Sequence, residues 1–234
     1  MTAASTGRPR RVAAIVAHPD DEVLGCGGTL RRHVLAGDEV WVIILADGET
    51  SRDGIPACDK AIAGREGAAR KSADILGIEH LALHGFPDNR LDTQALLEVA
   101  KVIEAHIEQI APDTIYTHHA GDLNQDHRCV HQAVVTACRP QPGRSLKTLL
   151  FFEVASSTEW QTPGSAPPFL PNWFIDISDT LDAKLKALEA YGAEMREWPH
   201  PRSYRAVEHL ARWRGATVGC AAAEAFMLGR HLES

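Results

Sequence analysis

Residues 11–22 read RVAAIVAHPDDE, and the fold follows from where this stretch changes character. Residues 11–17 are an almost unbroken apolar run of strand length, the pattern of a parallel strand buried on both faces. The polar run HPDDE starts at once behind it, and residues 22–36 then read as a helix. Outward from this unit the alternation repeats. EVWVIILA (39–46) is a second buried strand, closed by Asp47-Gly48. A loop over 47–63 leads to a helix over 64–76, ended by Gly77. HLALHGF (80–86) is a short strand with a polar turn at 87–90, and apolar residues recur at helical spacing through 93–110. TIYT (114–117) is a strand, 126–138 a helix, and KTLLFFEV (147–154) another strand. Residues 156–172 read as a surface loop, WFIDI (173–177) as a strand, and 179–195 as a helix; the tail beyond Trp198 is less periodic and is expected to pack over an active-site rim. The alternation predicts an α/β fold: a Rossmann-like, doubly wound, mostly parallel sheet with helices on both faces, in a single domain over 1–234.

Composition removes several function classes. A net charge of -7 argues against a nucleic-acid binder that works by neutralising phosphates. No apolar run approaches the ~20 residues that span a bilayer, and no signal-peptide core follows the basic start, so a cytoplasmic protein without a membrane partner is expected. Five cysteines, scattered and without a CxxC pair, argue against a disulfide frame and against a thiolate zinc site. Twelve histidines are many for this length, and the question is whether they converge.

Ligands of an open parallel sheet sit at the carboxyl ends of its strands. Two such ends carry polar loops here, HPDDE after the first strand and HHAGDLNQDH (118–127) after TIYT. One His and one Asp of the first loop with one His of the second would give the three protein ligands of a catalytic zinc, leaving an Asp as general base. The plainer alternative is a polar loop in which Asp20 or Asp21 caps the next helix. HRCVH (127–131) has the histidine spacing of a zinc-protease helix, but Arg128 stands where that motif needs Glu, so His131 is read as a helix-face residue beneath the site. GCGGTL (25–30) lacks the third glycine of a dinucleotide fingerprint and is read as close packing of helix on sheet. No GxSxG nucleophile elbow is present.

AHPDDE (17–22) with the later Asp126-His127 resembles the LmbE-like, or PIG-L, family of zinc-dependent N-deacetylases, which includes enzymes acting on glucosaminyl inositol conjugates. GFPDNRLD (85–92), GDLNQDHR (121–128), ACRP (137–140), ISDTLDAKLKAL (177–188) and RWRG…AEAF (212–226) extend the resemblance. It implies zinc, or another divalent metal, on His18, Asp21 and His127, with Asp20 as general base and Arg65 and Asp88 contacting substrate. It also implies a small N-acetylated amino sugar or glycosyl conjugate as substrate. A non-sugar amide, a thiol conjugate or a non-catalytic binding role are the alternatives, and a homo-oligomer is compatible. Many relatives place a histidine where this chain has Asn124, which cannot shuttle a proton. His118 or His119 then supplies that function, or Asp20 serves as base and acid, and Asp126 orients a neighbouring histidine. The tail arginines 196, 202, 205, 212 and 214, set among Trp198, Tyr204 and Trp213, suggest an anionic substrate; pairing with Glu194, Glu197 and Glu208 is the alternative.

Overall fold

A computed structural model describes residues 8–50 and 59–233. Among these residues, seven strands form one sheet: β1 (Arg11–Val16), β2 (Glu39–Ala46), β3 (His80–Phe86), β4 (Thr114–His118), β5 (Thr148–Phe152), β6 (Trp173–Asp176) and β7 (Ala223–His231). Their order across the sheet is β3-β2-β1-β4-β5-β7-β6. β3 to β5 pair in parallel, while β7 pairs antiparallel with both β5 and β6, so only β7 runs against the others. Among the described residues, six α-helices accompany the sheet: α1 (Asp21–Leu35), α2 (Asp59–Leu76), α3 (Leu96–Ile110), α4 (Gln125–Ala137), α5 (Leu181–Leu188) and α6 (Tyr204–Ala216). No helix among the described residues is long and apolar enough to cross a membrane.

The two-period of β1 shows why its sequence is apolar throughout. Val12, Ala14 and Val16 enter one core cluster, with residues of α1, α2 and α5, while Ala13 and Ile15 enter the other, with α3 and α4. The expected doubly wound sheet with helices on both faces is the observed one. From β1 the chain turns to β2 on one side, and from β4 to β5 on the other. The crevice at the carboxyl ends of β1 and β4 is therefore the switch point at which such sheets bind ligands.

The glycines after HPDDE serve packing, as their placement suggested. A Cβ on Gly25 would stand 2.3 Å from the Phe152 ring, so α1 lies closer to the sheet than any other residue there would allow. At Cys26 the helix breaks, with φ -148° and ψ 19°. The freed amides of Gly28 and Thr29 donate to the Glu224 carboxylate on β7 at 3.0 and 2.7 Å. Lys184 of α5 donates to Glu224 at 2.6 Å and to the Leu24 carbonyl at 2.9 Å, so the kink leaves these backbone groups satisfied.

Three expectations need correction. The helix read from 64 begins at Asp59, and Gly64 and Gly67 sit within it with open space around them; part of the expected loop, 51–58 with Cys58, lies outside the described residues. The helix expected over 179–195 ends at Leu188 and tightens into a 3-10 turn, Glu189–Tyr191, that swings Tyr191 into the core. The tail read as less periodic holds α6 and β7, and β7 inserts between β5 and β6. The four described cysteines are free thiols.

Candidate metal centre and cleft

The loop after β1 is shaped by Asp20, whose φ of 123° is a conformation that residues other than glycine seldom hold. Such a residue costs on the order of 1–3 kcal/mol and persists only where its surroundings fix it. Here the Asp20 amide donates to Glu22 Oε2 at 3.1 Å, and the Tyr191 hydroxyl donates to Glu22 Oε1 at 2.6 Å. The carbonyl of Asp20 accepts from Val23 and Leu24, which starts α1. Its side chain makes no capping hydrogen bond, so the capping alternative for Asp20 is not what the loop does. The carboxylate instead faces a cleft.

Asp21 is fully buried and gathers the histidines. Its Oδ2 accepts the His18 amide at 2.8 Å and lies 3.3 Å from His18 Nδ1, 3.2 Å from His127 Nε2 and 3.5 Å from His118 Nε2. One ligand atom each from His18, Asp21 and His127 falls within 4.8 Å of the others. Asp21 Oδ1 is buried and has no hydrogen-bond partner, an expensive condition for a polar group and one that a cation beside it would relieve; His127 Nε2, equally buried, faces Asp21 Oδ2. Donor type agrees, since imidazole and carboxylate suit zinc and its neighbours. The field is strongly negative. Burial alone would lower His127, yet Asp21 and Asp122 outweigh it and push the imidazole up to about 9. For Asp21, burial is outweighed chiefly by His127, which holds the carboxyl well below the usual range.

α4 delivers His127 through its first turn. Asn124 caps the helix, its Oδ1 accepting from the amides of Asp126 at 2.8 Å and His127 at 3.4 Å, and its side-chain nitrogen donates to Asn89. Asp126 Oδ1 accepts the Leu91 amide, while its Oδ2 lies 3.2 Å from His18 Nε2; Asp88 Oδ1 lies 3.1 Å from the same nitrogen. Sequence reasoning passed over Asp122. It is buried, its Oδ1 is 3.1 Å from His127 Nδ1, and it accepts from Ser157, from Thr158 at 2.6 Å and from the Asn124 amide at 2.8 Å. A carboxylate behind a metal-ligating histidine fixes its ring and tautomer. No local signal marks it, because Ser157 and Thr158 are 35 and 36 residues away.

The histidine doublet does not face the cleft. His118 is fully buried, stacked on His127 at 4.0 Å, and its Nε2 accepts the Ala17 amide. Burial, with His127 beside it, holds His118 well below its usual pKa and so neutral. His119 turns the other way, with Nε2 2.9 Å from the Pro167 carbonyl and its ring against Phe169. The structure therefore does not bring His119 to the group it brings together. His131 lies beneath the site, Nδ1 2.9 Å from the His118 carbonyl.

The cleft measures about 180 Å³, and His18, Asp20, Arg65, Asp88, Glu194 and Arg202 line it. Arg65 is 2.7 Å from Glu49 and 2.7 Å from Glu194; Arg202 Nη1 is 3.0 Å from Asp20 Oδ2. Arg202, expected at an anionic substrate, meets Asp20 here, and Glu194, expected to pair with a tail arginine, meets Arg65. The other tail arginines are engaged elsewhere. Arg212 pairs with Glu208, Arg214 with Glu153, Arg205 lies over Trp198, and Arg196 donates to the carbonyls of Ala193 and Met195. Trp198 and Trp213 are exposed. A larger cleft, about 770 Å³, opens at the opposite end of the sheet around residues 137–146 and gathers no comparable set of ligating groups.

The chain is similar to known proteins over most of its length. A family model described as PIG-L, GlcNAc-PI de-N-acetylase, matches residues 13–138. The chain is 30% identical over 194 residues to the uncharacterized deacetylase YaiS of Escherichia coli K12, covering 80% of this chain and 93% of that one. It is 29% identical over 203 residues to the diacetylchitobiose deacetylase of Thermococcus kodakarensis, covering 80% and 71%. Among solved structures, the conserved protein TT1542 of Thermus thermophilus superposes with a TM-score of 0.74 at 25% identity, over 96% of this chain and 97% of that one.

Proposed function

The chain belongs to the PIG-L family, and from that premise we propose that it removes the N-acetyl group from an amino sugar or its conjugate, with a divalent cation, zinc foremost, on His18, Asp21 and His127. The observation that carries this reading is the convergence of His18, Asp21 and His127, with Asp21 Oδ1 buried and without a hydrogen-bond partner, beside the Asp20 carboxylate on the cleft. A cation held there supplies Lewis acidity that polarises an amide carbonyl and acidifies a water. Asp20 accepts the proton of that water as its oxygen attacks the acyl carbon. Burial pushes Asp20 up to about 6, against the pull of Arg202, which suits a base working near neutral pH. The C–N bond then breaks, and the leaving nitrogen takes the proton back from Asp20. Acetate and a free amine result, with the water consumed.

Asp20 thus serves as both base and acid. Asn124 is committed to its helix cap and to Asn89, and His118 and His119 are turned to backbone partners. Arg65 and Asp88 remain the residues proposed to meet the sugar, now with Glu194 beside them. The bound end of the substrate is neutral in this reading. Both cleft guanidiniums are matched by carboxylates, Arg65 by Glu49 and Glu194 and Arg202 by Asp20, which favours hydroxyl recognition over an anion. Amine release from a panel of N-acetyl sugars, neutral and phosphorylated, against non-sugar amides tests this. Turnover of the neutral sugars supports it; turnover confined to the phosphorylated or non-sugar amides overturns it.

A further inference from the structure

Asp20 presents a mechanical problem. Its unusual φ aims the Cα–Cβ bond at the cleft, but rotation about that bond decides which oxygen meets a water. Among the described residues, the hydrogen bond from Arg202 is the one its carboxylate receives. Arg202 is itself held on several sides. Its Nε donates to the Ala155 carbonyl at 3.3 Å, just past β5. Its amide donates to His200 Nδ1 at 3.0 Å, and its carbonyl accepts the Arg196 amide at 3.1 Å. The next residue, Ser203, caps α6, accepting the Ala206 amide at 3.1 Å. The other guanidinium lining the cleft, Arg65, is occupied by Glu49 and Glu194.

We propose that Arg202 is a positioning residue for Asp20: its guanidinium fixes Oδ2 and so turns Oδ1 to the reacting water. The role rests on the deacetylase reading, and it brings the C-terminal part of the chain, beyond the matched residues 13–138, into the reaction. A planar fork that bonds a carboxylate and a carbonyl together is a task for arginine, which the point charge of lysine reproduces only in part.

The test is a set of variants in two backgrounds, Arg202→Ala and Arg202→Lys, each with Asp20 intact and with Asp20→Asn. A misplaced catalytic group costs on the order of a hundredfold, so Arg202→Ala is expected to lower kcat about that much while KM stays within about threefold and metal content is unchanged. Guanidinium ion added to Arg202→Ala restores part of kcat. In the Asp20→Asn background the arginine substitution costs little more, because two residues acting through one group are not additive. Crystals of Arg202→Ala show the Asp20 carboxylate turned from its place. Should Arg202→Ala fail to fold, Arg202→Lys carries the same readings at smaller size. A raised KM with kcat intact, losses that multiply in the double variant, or an Asp20 carboxylate unmoved in the crystals each overturn the proposal. If the wild-type protein cleaves no N-acetyl sugar, the deacetylase reading falls separately, and the crystals still decide whether Arg202 places Asp20.

Discussion

Two buried ion pairs tie the C-terminal part of the chain to the segment after β1, and they are finished differently. Lys184–Glu224 lies in the core, with side chains 4% and 3% exposed, and both backbone amides at the α1 kink and the Leu24 carbonyl complete it. Asp20–Arg202 lies at the cleft, with the arginine 21% exposed and the aspartate on a strained backbone. The first pair leaves no reactive edge. The second holds one carboxylate oxygen and leaves the group beside open space and beside the metal-type ligands His18, Asp21 and His127. A buried charge that is fully bonded is architecture, whereas one that is half-bonded on a cleft is chemistry.

The contrast breaks most readily at the cleft. Asp20→Asn keeps the shape and tolerates the positive φ but cannot accept a proton, so kcat falls about 10²–10⁴-fold while metal content and melting temperature hold. Steady-state amine release with elemental analysis checks this, and near-normal turnover would remove Asp20 from the chemistry. At the core pair the expected outcome is reversed. Lys184→Met strands a buried carboxylate and frees the Leu24 carbonyl, so stability falls by about 3–5 kcal/mol in denaturant titration, while turnover of the folded fraction is retained. Replacing both partners by well-packed apolar residues should recover part of that loss.

The same contrast explains what the sequence made legible. β1 and the ligand loops could be read because a strand buried on both faces is apolar throughout and its polar successor stands out. β7 was hidden by the very charge that the core pair needs: Glu224 sits inside the strand, and Gly229 packs against Phe151 where a side chain would collide. α6 was hidden because its buried stripe is Val207, Ala211 and Gly215, too small to register as an apolar period. Asp122, Glu194 and Arg202 acquire meaning only from partners far along the chain, Ser157, Arg65 and Asp20 respectively. His119 misled in the opposite way, since adjacency in sequence to His118 places it on the other side of the strand end, at Pro167.

A third pair, where water reaches one partner, sharpens the comparison at its weak end. Arg10 is 56% exposed and pairs with Asp38 at 2.9 Å, and His33 Nδ1 lies 2.7 Å from the same carboxylate. Burial pushes Asp38 up, but the His33 hydrogen bond and the Arg10 backbone and guanidinium prevail and hold it down to about 2. A depressed carboxyl stabilises the fold above its unfolded pKa and loses that contribution as pH falls through the folded value. Asp38→Asn is therefore expected to cost about 1 kcal/mol or less near neutrality, after allowance for solvent screening. Its stability curve should converge on the wild type's between the ordinary aspartate pKa of about 4 and pH 2. A gap that persists unchanged at pH 2 would show that packing, not charge, is what Asp38 contributes.

Whether His18, Asp21 and His127 hold a divalent cation at the switch point of the sheet is open to direct measurement. Elemental analysis of the extensively dialysed protein beside an Asp21→Ala, His127→Ala double variant tests it most directly. About one equivalent of a divalent metal per chain is expected in the wild type, as for a three-ligand catalytic site, with loss of that equivalent in the folded variant. Full metal content retained by the double variant would contradict it.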